Sequence, residues 1–195
     1  MKTKVLLLTL PVSAACLLIG VAVWLAARPP QFSLAGIDAK IARLSQPGTT
    51  VKEAVHVLGE PAEYFWGGDE SHIQQGKRLP NPPPDFYTLR YPQGVSVFAV
   101  HGKVAEFRSE GQGPGFTYQG KLRLGTSLDD VLTVLGPPSD TVTGKPLEFA
   151  ANVLYKDIDR QKGYDYYDRP DQHIRCFFQN NRVVALYLPL ATENR

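Results

Sequence analysis

The chain is poor in sulfur, with two cysteines and one methionine in 195 residues. Cys16 sits inside an apolar N-terminal run, so Cys176 has no partner outside that run and an intrachain disulfide framework is excluded. In its setting, Ile174-Arg175-Cys176-Phe177-Phe178, Cys176 reads as a small buried hydrophobe of a strand. The four histidines, His56, His72, His101 and His173, lack metal-ligand spacing. There is no nucleophile elbow, phosphate-cradling loop or paired-histidine metalloprotease helix. No catalytic residue, metal ligand or cofactor is therefore expected. Net charge is almost missing too: the formal +2 is carried by Lys2 and Lys4, and the other 19 basic residues balance 19 acidic ones. Without clustered positive charge a phosphate backbone finds no footprint, so nucleic acid is not expected as a partner.

The first positive signal is Val5 to Ala27, 23 residues without a charge. As a helix this run would reach about 35 Å, against a hydrocarbon core of roughly 30 Å. Lys2 and Lys4 precede it and only Arg28 follows directly, which predicts a cytoplasmic N-terminus and a single-pass membrane anchor over residues 1–28. A cleaved signal peptide is disfavoured because a cut after Ala27 puts Leu25 where a small residue is wanted. Acylation of Cys16, at the end of Val12-Ser13-Ala14-Ala15-Cys16, is disfavoured by Ser13 and by the eleven apolar residues that follow.

An internal repeat organises the remainder. Residues 48–61, GTTVKEAVHVLGEP, align without gaps on residues 125–138, GTSLDDVLTVLGPP, with six of fourteen positions identical. In both copies apolar residues fall at helical spacing, Val51, Ala54, Val55 and Leu58 matching Leu128, Val131, Leu132 and Leu135. Thr50 and Ser127 stand at the N-cap with Glu53 and Asp130 three residues on, as in a capping box, and Gly59 and Gly136 end the helices. A preceding short helix is expected to start at Asp38 as its cap, with Ile37, Ile41 and Leu44 on one face.

A three-strand meander should follow each repeat helix. In the first unit the strands are 86–91, 95–100 and 103–108, with His101-Gly102 as the tight turn; in the second they are 152–156, 174–178 and 182–188, with Asn180-Asn181 as the turn. The insertions differ: 67–85, containing Leu79-Pro80-Asn81-Pro82-Pro83-Pro84, in the first unit, and 157–173 in the second. The glycine-rich stretch 111–115 marks the joint. The predicted class is α+β: an N-terminal transmembrane helix followed by two repeats of short helix plus antiparallel meander, over residues 29–110 and 111–195.

The pattern of Gly-Thr-Thr or Gly-Thr-Ser, a helix, Leu-Gly-x-Pro, then a strand ending in an apolar-aromatic pair and a closing turn at Gly102-Lys103-Val104 or Asn181-Arg182-Val183 resembles the SmpA/OmlA domain of BamE-like lipoproteins and the β-lactamase-inhibitor proteins, which hold the unit twice. The resemblance covers roughly residues 46–188. It implies a bacterial envelope location, a non-enzymatic module and another protein, expected to be of the envelope, as partner; the anchor expected over residues 1–28 adds an inner-membrane localisation with the C-terminal domain extracytoplasmic.

Candidate contact residues lie in the insertions. Tyr164, Tyr166 and Tyr167 offer rigid amphipathic area of the kind enriched where proteins meet, and Pro82, Pro83 and Pro84 should be extended and exposed. The acids Asp157, Asp159, Asp165, Asp168 and Asp171 suggest calcium, but Lys162 stands where an EF-hand loop needs glycine, and Arg160, Lys162 and Arg169 neutralise the stretch. The expected function is a non-catalytic protein-binding or scaffolding module. The alternative is a small-ligand binder or enzyme with a cleft between the units, where His173 and Asp171 would converge with the tyrosines.

Overall fold

The computed structural model describes residues 36–67, 73–143, 153–159 and 164–190. The three helices among them are α1 (Ile37–Leu44), α2 (Val51–Leu58) and α3 (Leu128–Leu135), each eight residues long. Too short to persist alone, they are held by caps and by packing on the sheet. At α2 the capping box is complete: the Glu53 amide donates to the Thr50 hydroxyl at 3.2 Å, and Glu53 accepts from the Thr50 amide at 2.7 Å. At α3 the Asp130 amide donates to Ser127 Oγ at 3.1 Å, while the Asp130 carboxylate accepts from the Ser127 hydroxyl at 2.6 Å. Gly59 and Gly136 close the helices at φ of 95° and 90°, a region that favours glycine. Asp38 does not cap α1, whose N-cap is Gly36; its carboxylate accepts from the Thr117 amide at 2.7 Å, tying α1 to the second half of the chain.

The strands are β1 (Glu63–Trp66), β2 (Gln74–Gly76), β3 (Phe86–Tyr91), β4 (Val95–Val100), β5 (Lys103–Glu110), β6 (Asp140–Thr143), β7 (Val153–Asp159), β8 (Tyr164–Arg169), β9 (Ile174–Gln179) and β10 (Arg182–Pro189). They form one sheet in the order β2-β1-β3-β4-β5-β10-β9-β8-β7-β6, antiparallel except for the β6·β7 pair. The meanders β3-β4-β5 and β8-β9-β10 join edge to edge, Arg108 pairing with Tyr187 at the middle of the seam. His101 and Gly102 in one hairpin turn, and Asn180 and Asn181 in the other, all take positive φ, as a two-residue primed turn requires.

The repeat is therefore structural, and it extends beyond the helix. Val51 N donates to Gly102 O and Leu128 N to Asn181 O, both at 2.9 Å; Val104 N donates to Thr49 O at 2.8 Å and Val183 N to Thr126 O at 2.9 Å. Each cap is thus sewn to the hairpin turn of its own unit. A β-bulge falls after Val104 in β5 and after Val183 in β10, again at matching places. The outer strands break the symmetry: β1 pairs directly with β3, whereas β7 separates β6 from β8.

The core lies between the helices and one sheet face. Ile37, Ile41, Leu44, Ala54, Leu58, Val131 and Leu135 meet Leu89, Val97, Phe107, Cys176, Phe178 and Leu186, all buried. The joint is packed as well. Gly115 N donates to Gln93 O at 2.9 Å, and the Phe116 amide donates to the buried Ser109 hydroxyl at 3.3 Å.

The expected fold class needs correction. The two helix-plus-meander repeats share a single ten-stranded, mostly antiparallel sheet. No helix among the described residues is long and apolar enough to cross a membrane. Eight residues rise about 12 Å, less than half of a hydrocarbon core of roughly 30 Å. The transmembrane helix, the single-pass membrane anchor and the inner-membrane localisation therefore have no counterpart in this architecture and are set aside. Val5 to Ala27 and Cys16 lie outside the described residues.

Candidate functional site

Alternation along the strands sends every second side chain away from the core, and among the described residues no helix covers that second face. Its middle is built by β4, β5, β10 and β9. The bulges at Ala105 and Val184 are what set it: each shifts the alternation by one residue, so that Glu106 and Arg108, like Ala185 and Tyr187, share the uncovered face.

Four side chains form a zigzag across the seam. The Arg108 guanidinium lies 4.8 Å from the centroid of the Phe98 ring and 4.8 Å from that of Tyr187, and the Tyr187 ring meets Phe177 at 4.7 Å with a tilt of 53°. Phe98 and Phe177 occupy matching places in the two units, as do Arg108 and Tyr187. The row is therefore nearly symmetric outside and asymmetric at its centre. A third cation–π pair lies nearer the β1 side, Arg90 standing 4.3 Å from the Phe65 ring centroid.

Carboxylates fence this row. Glu106 accepts from Arg108 Nε at 2.6 Å and stands 3.8 Å from Arg175 Nη1. Arg175 Nε is 3.7 Å from Asp168. Glu110 accepts from the Tyr187 hydroxyl at 2.9 Å and, at 3.4 Å, from Ser96. Burial first, and the Glu110 carboxylate second, push the Tyr187 hydroxyl above its ordinary pKa, so it remains a donor across the physiological range. The net result is an aromatic surface in which Arg108 and Arg175 stand beside Glu106 and Asp168, and Glu110 is held by two hydroxyls.

The residues expected from the sequence to make contacts are dispersed. Tyr167 is fully buried and donates to Gly136 O at 2.9 Å, so its ring packs in the core. Tyr164 and Tyr166 belong to β8, a strand where a loop was expected; the side chains of both lie outside what is described. Pro82 and Pro83 are exposed and Pro84 is half-buried, in an irregular segment before β3. His173 lines a groove of about 220 Å³ with Tyr118, Gln172 and Leu188, and the side chain of Asp171 is outside the described set. Cys176 is fully buried, and burial pushes its thiol up to about 12.

Two larger grooves lie elsewhere. One, of about 500 Å³, is lined by Arg43, Lys52, Glu53 and His56; the other, of about 760 Å³, by Lys121, Arg123, Ser127 and Arg182. In the first, the Glu53 carboxyl is lowered by the Thr50 amide and hydroxyl, which is the signature of a cap. Among the described residues no group of three or more His, Cys, Asp or Glu side chains is placed to hold a metal ion.

Sequence reasoning missed the Phe98, Arg108, Phe177 and Tyr187 row. Its only trace is the clustering of aromatic and arginine residues at alternate positions of strands that end in matching turns. Compared with known proteins, the chain matches no family model, no curated protein and no solved structure.

Proposed function

We propose that this chain is a non-catalytic protein-binding module and that the uncovered sheet face is its docking surface. The observation that carries the reading is the row Phe98, Arg108, Tyr187 and Phe177 on the face opposite the core. Arginine and large aromatic residues are the side chains most enriched at the energetic centres of protein interfaces. Here they are immobilised beforehand by stacking and by Glu106 and Glu110, so docking costs little side-chain entropy. A folded protein is the occupant that fits, because the row spans four neighbouring strands, roughly 15 Å at ordinary strand spacing, wider than one extended peptide.

Kinship with the SmpA/OmlA and β-lactamase-inhibitor proteins is part of the same proposal. It is supported by the paired cap, helix and hairpin units at Thr50 and Ser127, and it implies an envelope protein as the partner class. The test is site-specific photo-crosslinking in the native cell. A photoreactive residue at Phe98 or Phe177 should give the same discrete adduct, abolished by Tyr187→Ala, whereas the helix-side positions Lys52 and Asp129 should not. Equal adducts from both sides, or none from Phe98 and Phe177, would refute the docking face.

A further inference from the structure

The centre of the proposed docking face has a polar feature that its own neighbours leave incomplete. Arg108 is held on three sides, by Phe98, by Tyr187 and by Glu106 through Nε. Among the described residues nothing accepts a hydrogen bond from its two terminal nitrogens. Its side chain is 25% exposed while that of Glu106 is 9% exposed, so the open end of the fork points out of the face and the carboxylate lies beneath it. Arg175 repeats the imbalance beside it: its Nε is buried without a hydrogen-bond partner, and its nearest carboxylates stand 3.7 and 3.8 Å away. Two guanidinium groups thus share Glu106, and among the described residues neither has its outer donors filled.

Resting on the docking face proposed above, we infer that Arg108 receives a single carboxylate of the partner protein, an exposed Asp or Glu side chain flanked by an apolar group. A planar fork clamped between two rings matches a carboxylate in a bidentate way and loses little entropy on pairing. The rings of Phe98, Phe177 and Tyr187 offer apolar contact around it. A polyanion is the wrong ligand, because Glu106 pairs with the fork, and Glu110 beside Tyr187 and Asp168 beside Arg175 lie on the same face and would repel every charge beyond the first.

The test is side-chain NMR of the whole protein, following the Arg108 Nε–H resonance and the ring resonances of Phe98, Phe177 and Tyr187. Two end-blocked dipeptides serve as probes, one of aspartate and phenylalanine, the other of asparagine and phenylalanine, with inorganic phosphate as a third. The expected result is a saturable shift at Arg108 with the aspartate probe at roughly tenfold lower concentration than with the asparagine probe, the ratio of one close charge pair. In Arg108→Gln, first shown to unfold at a wild-type temperature, that ratio should fall to about one, and in Arg108→Lys, held to the same check, it should fall only part of the way, since lysine keeps the charge but not the fork. Ring shifts that are equal for both dipeptides would overturn the carboxylate while leaving the docking face standing. Stronger shifts with phosphate would overturn the carboxylate too, and silence of the whole face with every probe would count against both readings.

Discussion

Replacing Gly115 by alanine should cost far more than the same change four residues earlier at Gly111, although both glycines lie in one glycine-rich loop. Gly115 has φ of +63°, where an L-residue pays about 1–2 kcal/mol. Its new Cβ would also fall 1.6 Å from the Ser109 hydroxyl oxygen and 2.9 Å from Ser109 Cβ. Ser109 is fully buried, so its side chain must swing aside and abandon the Phe116 amide, an orphaned donor worth about 1–3 kcal/mol, with overpacking adding about 1–3 kcal/mol. These terms overlap, and a combined loss of about 3–6 kcal/mol is expected, a large part of the roughly 5–15 kcal/mol that holds a domain together. Gly111, at φ +76° with nothing within 4 Å of its Cβ, should lose only the conformational part, about 1–2 kcal/mol. Urea unfolding followed by tryptophan fluorescence gives both numbers from midpoint and slope. Equal losses in Gly115→Ala and Gly111→Ala would show that the loop is a slack tether and that the packing described for it is wrong.

Thr50→Ala should destabilise by about 1 kcal/mol through loss of the cap, with Ser127→Ala similar and the two nearly additive because the sites are independent; strong coupling between them in urea titrations would refute separate caps. The Glu53 carboxyl is held below its ordinary value, so its contribution is present above pH 4.5 and disappears as pH falls through the folded value; melting curves of wild type and Glu53→Gln should converge in acid, and a constant gap would contradict the assignment. For Cys176 the sign is opposite: burial raises the thiol from 9 to about 12, so the stabilisation is complete below pH 9 and is lost as pH rises through 12. In a Cys16→Ser background at neutral pH a thiol reagent should label Cys176 only as fast as the protein opens, and rapid labelling of folded protein would be inconsistent with that burial. Tyr167→Phe should cost about 1 kcal/mol by removing the hydrogen bond to Gly136 O, measured as a shift in urea midpoint.

The local grammar of the chain was readable because each signal there is carried by neighbouring residues. Thr50 with Glu53, Ser127 with Asp130, and the turns at 101–102 and 180–181 specify their own conformations, and strands β3, β4 and β5 fall where alternation predicts them. What was hidden depends on distant pairing. Nothing local announces that β5 and β10 pair with each other, so the expected pair of helix-plus-meander units carried no sign that one sheet runs through both. A bulge is likewise silent in composition: plain alternation backward from Phe107 would send Ala105 inward and Val104 outward, and the true inversion is what assembles the Arg108 site. The stretch from Tyr164 to Arg169 resembled a polar loop because of its acids, but its tyrosines favour a strand, and Tyr167 packs into the core.

The seam between β5 and β10 also governs what half of this molecule would do. Each strand is eight residues long, and each ends its own meander, so severing the two halves would lay bare a long run of unsatisfied amides and carbonyls on either fragment. Because the two strands occupy corresponding places, a fragment ending at Glu110 has in another copy of itself a substitute for the missing strand. Self-association of that fragment as an edge-to-edge pair is the expected fate of an isolated half, and the single chain, by carrying both halves, forestalls it.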